Sequence, residues 1–177
     1  MNRSNLYRKR LLLLSALMFA ASLFLSSGAR AQDLVVPPQP APPPMVYIPK
    51  EARTQLLSAR DEKARIRLSL ELAETRLARA EQQTELKQFN AATADLGVYQ
   101  ALMEDALQHL YRGGSATSGS RDLFKRIEQS LHKHAARVEG MRRTTPGEFA
   151  GNLRALVKLV RDLRTEALEA FYSDTIM

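Results

Sequence analysis

From Glu51 to Gln88 the chain contains neither glycine nor proline, and its apolar residues repeat at helical spacing. Leu56, Ala59, Ile66, Leu70, Ala73, Leu77 and Ala80 recur at alternating steps of three and four, which puts them on one stripe that only Lys63 interrupts. The residues between are mostly Glu, Arg, Lys, Gln, Leu and Ala, all good helix formers. Asp61 and Arg65 stand four apart with the acid first, the better order for an exposed pair. One helix over this stretch would be roughly 55 Å long, well beyond the average helix of a small globule. The pattern therefore predicts an unusually long first helix. It serves either as a coiled-coil seam for a second copy or as the long arm of an intramolecular bundle.

The segment before it is of a different kind. Arg3, Arg8, Lys9 and Arg10 precede an apolar run from Leu11 to Leu25, and Ala29-Arg30-Ala31 supplies the small-x-small pattern that signal peptidase reads. Residues 1–31 are expected to be a signal peptide cleaved before Gln32. An apolar run of about fifteen residues is short for a membrane span of roughly twenty, although an uncleaved anchor is the alternative. The protein is thus expected in the periplasm or outside the cell. Having no cysteine, it has no residue for a lipoprotein anchor, a disulfide or a thiolate metal site. The formal charge of +7 also changes meaning: beyond residue 31 only 21 of the 26 basic side chains remain against all 19 acidic ones, a net of +2. Net charge therefore gives no support to nucleic-acid binding.

Residues 32–49 hold Pro37, Pro38, Pro40, Pro42, Pro43, Pro44 and Pro49, which favour extended polyproline II over helix or central strand. The composition predicts a disordered spacer, or else a ligand for a proline-binding groove. Within it, Met45-Val46-Tyr47-Ile48 is apolar and suited to docking on a bundle surface.

Downstream, the register of the first helix fails near Gln88. A new one fits Phe89, Ala92, Leu96, Tyr99, Met103, Ala106 and Leu110. This shift predicts a turn over Lys87 to Asn90, with Asn90 as N-cap and a second helix over 90–112. One continuous, rewound helix is the alternative, because no glycine or proline marks the turn. Gly97 weakens helix propensity there by about 1 kcal/mol without having to break the helix. A glycine–serine loop from Gly113 to Ser120 leads to a third helix over 121–140, with Ser120 as N-cap and Gly140 as its stop. Thr145-Pro146-Gly147-Glu148 reads as a capping box opening a fourth helix over 146–172, whose stripe runs through Phe149, Leu153, Leu156, Val160, Leu163, Ala167 and Ala170. Residues 173–177 form a short tail. The fold class is all-α, an antiparallel bundle of about four helices behind a signal peptide and a proline-rich linker.

The run Leu70-Glu71-Leu72-Ala73-Glu74-Thr75-Arg76-Leu77-Ala78-Arg79-Ala80-Glu81, followed by the second helix through Tyr99 to Leu107, resembles a helical-hairpin domain of unknown function found in predicted exported bacterial proteins. The hairpin also looks faintly like a tetratricopeptide unit, with no second copy at that repeat's period. The first resemblance implies a bacterial exported protein and carries over no chemistry and no functional residues.

No phosphate loop, nucleophile elbow or zinc-protease motif occurs. His132 and His134, two apart, point in different directions from a helix and cannot share a metal. His134 falls on the apolar stripe of the third helix. It reads as a buried histidine bonded to a neighbour, or as a pH-sensitive one. Asp105 and His109 are half of a metal site with no third ligand in view, and an enzyme would have to assemble Glu104, Asp105, His109 and His134 in one pocket. Between Arg121 and Arg164 there are eleven basic and five acidic residues. Arg126, Lys133, Arg137, Arg142 and Arg143 form the expected face for an anionic partner, and equally an ordinary solvated face near helix C-termini. The expectation is a non-enzymatic interaction or structural module of the cell envelope. It needs no metal or other cofactor, and its partner is a protein or an anionic envelope component. The overhang Glu51–Arg65 offers a surface for a homodimer. The alternative is a periplasmic stress or chaperone-like protein that binds unfolded chains or metal.

Overall fold

The stretch expected to be one long helix is two. In the computed structural model, which describes residues 39–113 and 118–173, α1 spans Lys50–Leu57 and α2 spans Glu62–Glu85. The signal peptide at 1–31, the spacer residues 32–38, residues 114–117 of the glycine–serine loop and the tail residues 174–177 lie outside the described residues. The break comes from two side chains that compete with the helix for backbone groups. Ser58 Oγ donates to the Gln55 carbonyl at 2.9 Å. Asp61 adopts an extended backbone and caps α2, its Oδ1 accepting from the Ala64 N–H at 2.7 Å. That N–H bond, with the Arg60 guanidinium beside it, holds the Asp61 carboxyl below its ordinary range.

Arg65 is therefore not the partner of Asp61. It donates through Nη1 to the Leu56 carbonyl at 3.0 Å and through Nη2 to Asp105 Oδ2 at 2.8 Å, tying α1 and α2 to the next helix. Glu51–Arg65 forms no overhang: Ala52 and Leu56 are buried and Leu56 belongs to the core, while Lys63 is exposed.

The register shift near Gln88 is a turn, and residues 51–112 do not form one helix. Leu86 closes α2, and Lys87 takes a left-handed φ of 60°. The Lys87 N–H bonds the Thr84 carbonyl at 3.0 Å and the Gln88 N–H bonds the Gln83 carbonyl at 2.8 Å, the paired closure of a Schellman motif. Glycine usually fills this position, and a lysine there is why the sequence carried no turn signal. Lys87→Gly is expected to raise stability by about 1 kcal/mol by relieving the side-chain clash of the left-handed conformation, read as a shift in the denaturant midpoint at unchanged slope. Helix α3 runs Phe89–Arg112 from Gln88, with no side-chain cap, so Asn90 lies inside the first turn and is not the N-cap.

Helix α4 spans Ser118–Thr144 and α5 spans Gly147–Ser173. Ser120 thus sits within α4, and Gly140 does not stop it: one more turn buries Met141 in register with Val138 and His134. The expected capping box at Thr145 is not made. Thr145 Oγ1 turns back to the Met141 carbonyl at 2.7 Å to close α4, and the Pro146 carbonyl starts α5 by accepting from Phe149 and Ala150.

The described fold is all-helical, built from two hairpins that pack on each other. Each hairpin, α2–α3 and α4–α5, is antiparallel. Residues Glu74 and Glu81 of α2 meet His134 and Arg137 of α4 in the same order, so these two helices run parallel. Phe89 stacks against Phe149 and Tyr111 Oη donates to the Glu166 carbonyl at 3.2 Å, so α3 and α5 run parallel as well. Tyr99 against His134 and Tyr111 against Phe124 place α3 antiparallel to α4. Two hairpins are stacked side by side in the same orientation, the packing by which helical-repeat proteins grow. Leu77, Leu102, Leu107, Ile127, Leu131 and Val160 fill the shared core. Among the described residues no helix is long and apolar enough to cross a membrane.

Candidate functional site

Half of the proline-rich linker is docked, in contrast to the expected disordered spacer. Residues 39–49 cross the groove between α3 and α5, and three contacts seat them. The Ala41 N–H donates to the Glu148 carbonyl at 2.8 Å, in the first turn of α5. One turn further on, Asn152 Nδ2 donates to the Pro42 carbonyl at 2.8 Å. On the opposite wall, Gly97 presents a bare backbone: a Cβ there would fall well inside contact with the Met45 carbonyl oxygen and lie 3.1 Å from both the Met45 carbonyl carbon and Pro44 Cβ. The glycine that weakens α3 is the one that lets this strap approach. Thr93, Leu96, Gln100, Leu153, Ala155 and Leu156 complete the groove, and together with Pro43, Pro44 and Val46 they line an open pocket of about 210 Å³. Ile48 packs on the core, while Met45, Val46 and Tyr47 are exposed. Apolar docking of Met45–Ile48 thus takes place through Ile48 and the backbone. Asn152 and Gly97 as groove residues were not foreseen; a glycine on the buried side of a helix was the available signal.

On the other face, a polar network joins the two hairpins. His134 is 3% exposed. Its Nε2 lies 2.9 Å from Glu74 Oε2 and its Nδ1 lies 3.1 Å from Tyr99 Oη. Arg137 closes the network, donating to Glu74 Oε1 and, as a fork, to Glu81 at 2.8 and 2.6 Å. Burial alone would raise the Glu74 carboxyl, but the Arg137 bonds outweigh it and keep Glu74 ionised. An ionised Glu74 only accepts, so Nε2 carries the proton in the neutral ring and Nδ1 accepts the Tyr99 hydroxyl. Burial pushes the His134 pKa down despite the Glu74 carboxylate, and raises that of Tyr99. The bonds to Glu81 push Arg137 up, so it stays charged.

The five cations of the expected anionic-partner face separate into two groups. Arg137 is committed to Glu74 and Glu81. Arg142 and Arg143 pair with Glu139 at 2.7 and 3.6 Å, and the Arg142 bonds draw the Glu139 pKa down to about 2. Arg126 and Lys133 are exposed and make no ion pair among the described residues. Arg126 lines a cleft with Lys63, which also holds Asp61, Glu62 and Asp122.

The residues an enzyme would have to gather have separate partners: Asp105 pairs with Arg65, Glu104 with Gln100, and His134 with Tyr99 and Glu74. Among the described residues no group of three or more His, Asp or Glu is placed to hold a metal.

No protein-family model matches this chain, and neither curated proteins nor solved structures give a match.

Proposed function

We propose that this chain is a non-enzymatic interaction module of the bacterial cell envelope, exported by its N-terminal segment, and that the α3–α5 groove is its working surface. One observation carries the reading. The groove already holds an extended segment by contacts to its backbone, with the Glu148 carbonyl, the Asn152 amide and the bare Gly97 in register along it. Stacked helical hairpins commonly use such surfaces to take extended partners. Crosslinking in the periplasm from a photoreactive residue at Ala155, an exposed groove position, followed by partner identification, is the test. A discrete partner lost on Gly97→Ala supports the reading. Crosslinks confined to the chain itself, or unchanged by Gly97→Ala, contradict it.

A second reading concerns charge. Arg126 and Lys133 remain available for an anionic envelope component, together with Arg67, which is exposed one turn beyond Lys63 on α2. Co-sedimentation with anionic phospholipid vesicles is expected to fall with added salt, and to fall for Arg126→Glu/Lys133→Glu more than for Arg142→Glu/Arg143→Glu. Salt-independent sedimentation removes this reading. The chaperone-like alternative needs an exposed apolar groove, which the α3–α5 groove becomes only when the strap leaves it.

A further inference from the structure

Resting on the reading of the α3–α5 groove as the working surface, we infer that this groove binds, in trans, an extended proline-rich segment of a partner protein, and that residues 39–46 are its built-in competitor. The seat selects for this chemistry. Of the atoms that hold the strap, one accepts from a backbone N–H, at Ala41, and one donates to a backbone carbonyl, at Pro42. A proline-rich chain suits such a seat: it is already extended, loses little entropy on docking, and leaves its carbonyls unpaired for donors such as the Asn152 amide. The Glu148 carbonyl requires an N–H, so the preferred ligand has a non-proline residue directly before its prolines, as Ala41 precedes Pro42-Pro43-Pro44. At the Gly97 crossing the Met45 carbonyl and the Pro44 Cβ lie against α3, so the seat takes backbone and a proline ring there.

The strap is also an imperfect occupant. Beside it lies an open pocket of about 210 Å³ lined by Pro43, Pro44 and Val46 of the strap and by Leu96, Leu153 and Leu156 of the groove. Met45, Val46 and Tyr47 remain exposed, and the two hydrogen bonds to α5 hold the segment. A segment that places a larger apolar side chain into that space gains packing that the strap lacks. Tethering gives the strap an effective concentration in the millimolar range, so a ligand in trans competes only by fitting better or once the strap is moved.

The test uses the full chain and a synthetic peptide of residues 39–49 as probe. Pro44→Asp puts a charge against α3 and displaces the strap in cis while leaving the groove intact, and exchange of the Ala41 amide reports the displacement. Should that amide stay protected, Ala41→Pro removes the N–H that holds it. Peptide affinity is expected to be at least about tenfold higher for the displaced chain than for the wild type. It is expected to be lost again on adding Asn152→Ala or Gly97→Ala. No binding to the displaced chain, or binding indifferent to both groove substitutions, overturns the inference. Self-association of the displaced chain without peptide also overturns it and assigns the groove to a second copy. A periplasmic crosslinked partner with no peptide binding leaves the groove as the working surface and removes only the proline-rich ligand.

Discussion

Gly97→Ala unseats residues 41–46, although alanine is the better helix former. The gain in helix propensity is about 1 kcal/mol. Against it stands a Cβ forced into the Met45 carbonyl, a backbone group with no rotamer to escape to, and overpacking of this kind costs about 1–3 kcal/mol. Because the strap can leave, its own docking energy limits the loss, and the expected result is ejection rather than unfolding. Exchange protection of the Ala41 amide should vanish while that of α3 is kept or improved. The same substitution at Gly140 or Gly151 is expected to act oppositely. An added Cβ at either meets nothing within 4 Å, so each should stabilise by about 1 kcal/mol in a denaturant titration. Equal effects at all three positions would show that the strap does not lie on α3.

His134→Ala should cost about 2–4 kcal/mol, the sum of a cavity between the hairpins and a Tyr99 hydroxyl left buried without its partner. The pH dependence isolates the histidine from the cavity. Its folded pKa lies below the ordinary 6.5, so at pH values under about 6.5 the unfolded chain takes up a proton that the native ring resists. Stability contributed by the neutral ring is complete above that pH. It is lost as pH falls toward the folded pKa, by at most about 1.4 kcal/mol per unit. Glu74, Asp61 and Glu139 are held below their ordinary values and add the same trend only at pH values below about 4.5, in a separate window. His134→Gln, which cannot titrate and is close to histidine in size, should flatten the dependence between pH 5 and 6.5 in thermal melts. A slope there unchanged by the substitution would place the proton elsewhere.

How far the sequence discloses this fold depends on whether a feature is local. The helices after Phe89 are legible because each carries an unbroken apolar stripe, and Phe149 through Ala170 keep one register to the end of α5. The break at Ser58–Asp61 escapes a reading by periodicity, because Leu56 and Ile66 are core residues on both sides of it and the stripe appears continuous. Its signal was the side-chain chemistry of Ser58 and Asp61. The stacking of the hairpins depends on which faces meet, and the pattern of a single helix does not say that. Arg137 accordingly looked solvated, although Glu74 and Glu81, seven apart on α2, already formed a row of acids able to receive it. The strap was the least legible element: proline composition specifies an extended chain and leaves open what that chain lies against.

Occupation of the α3–α5 groove by residues 39–49 is open to direct measurement. The absence of cysteine permits a single nitroxide label at Ala155→Cys, on the groove wall, with no background thiol. Paramagnetic broadening of the Ala41, Met45 and Val46 amide resonances, abolished by Gly97→Ala, is the predicted result. Sharp resonances for these residues, at the shifts of the free peptide and unaffected by the label, would show that the groove is empty.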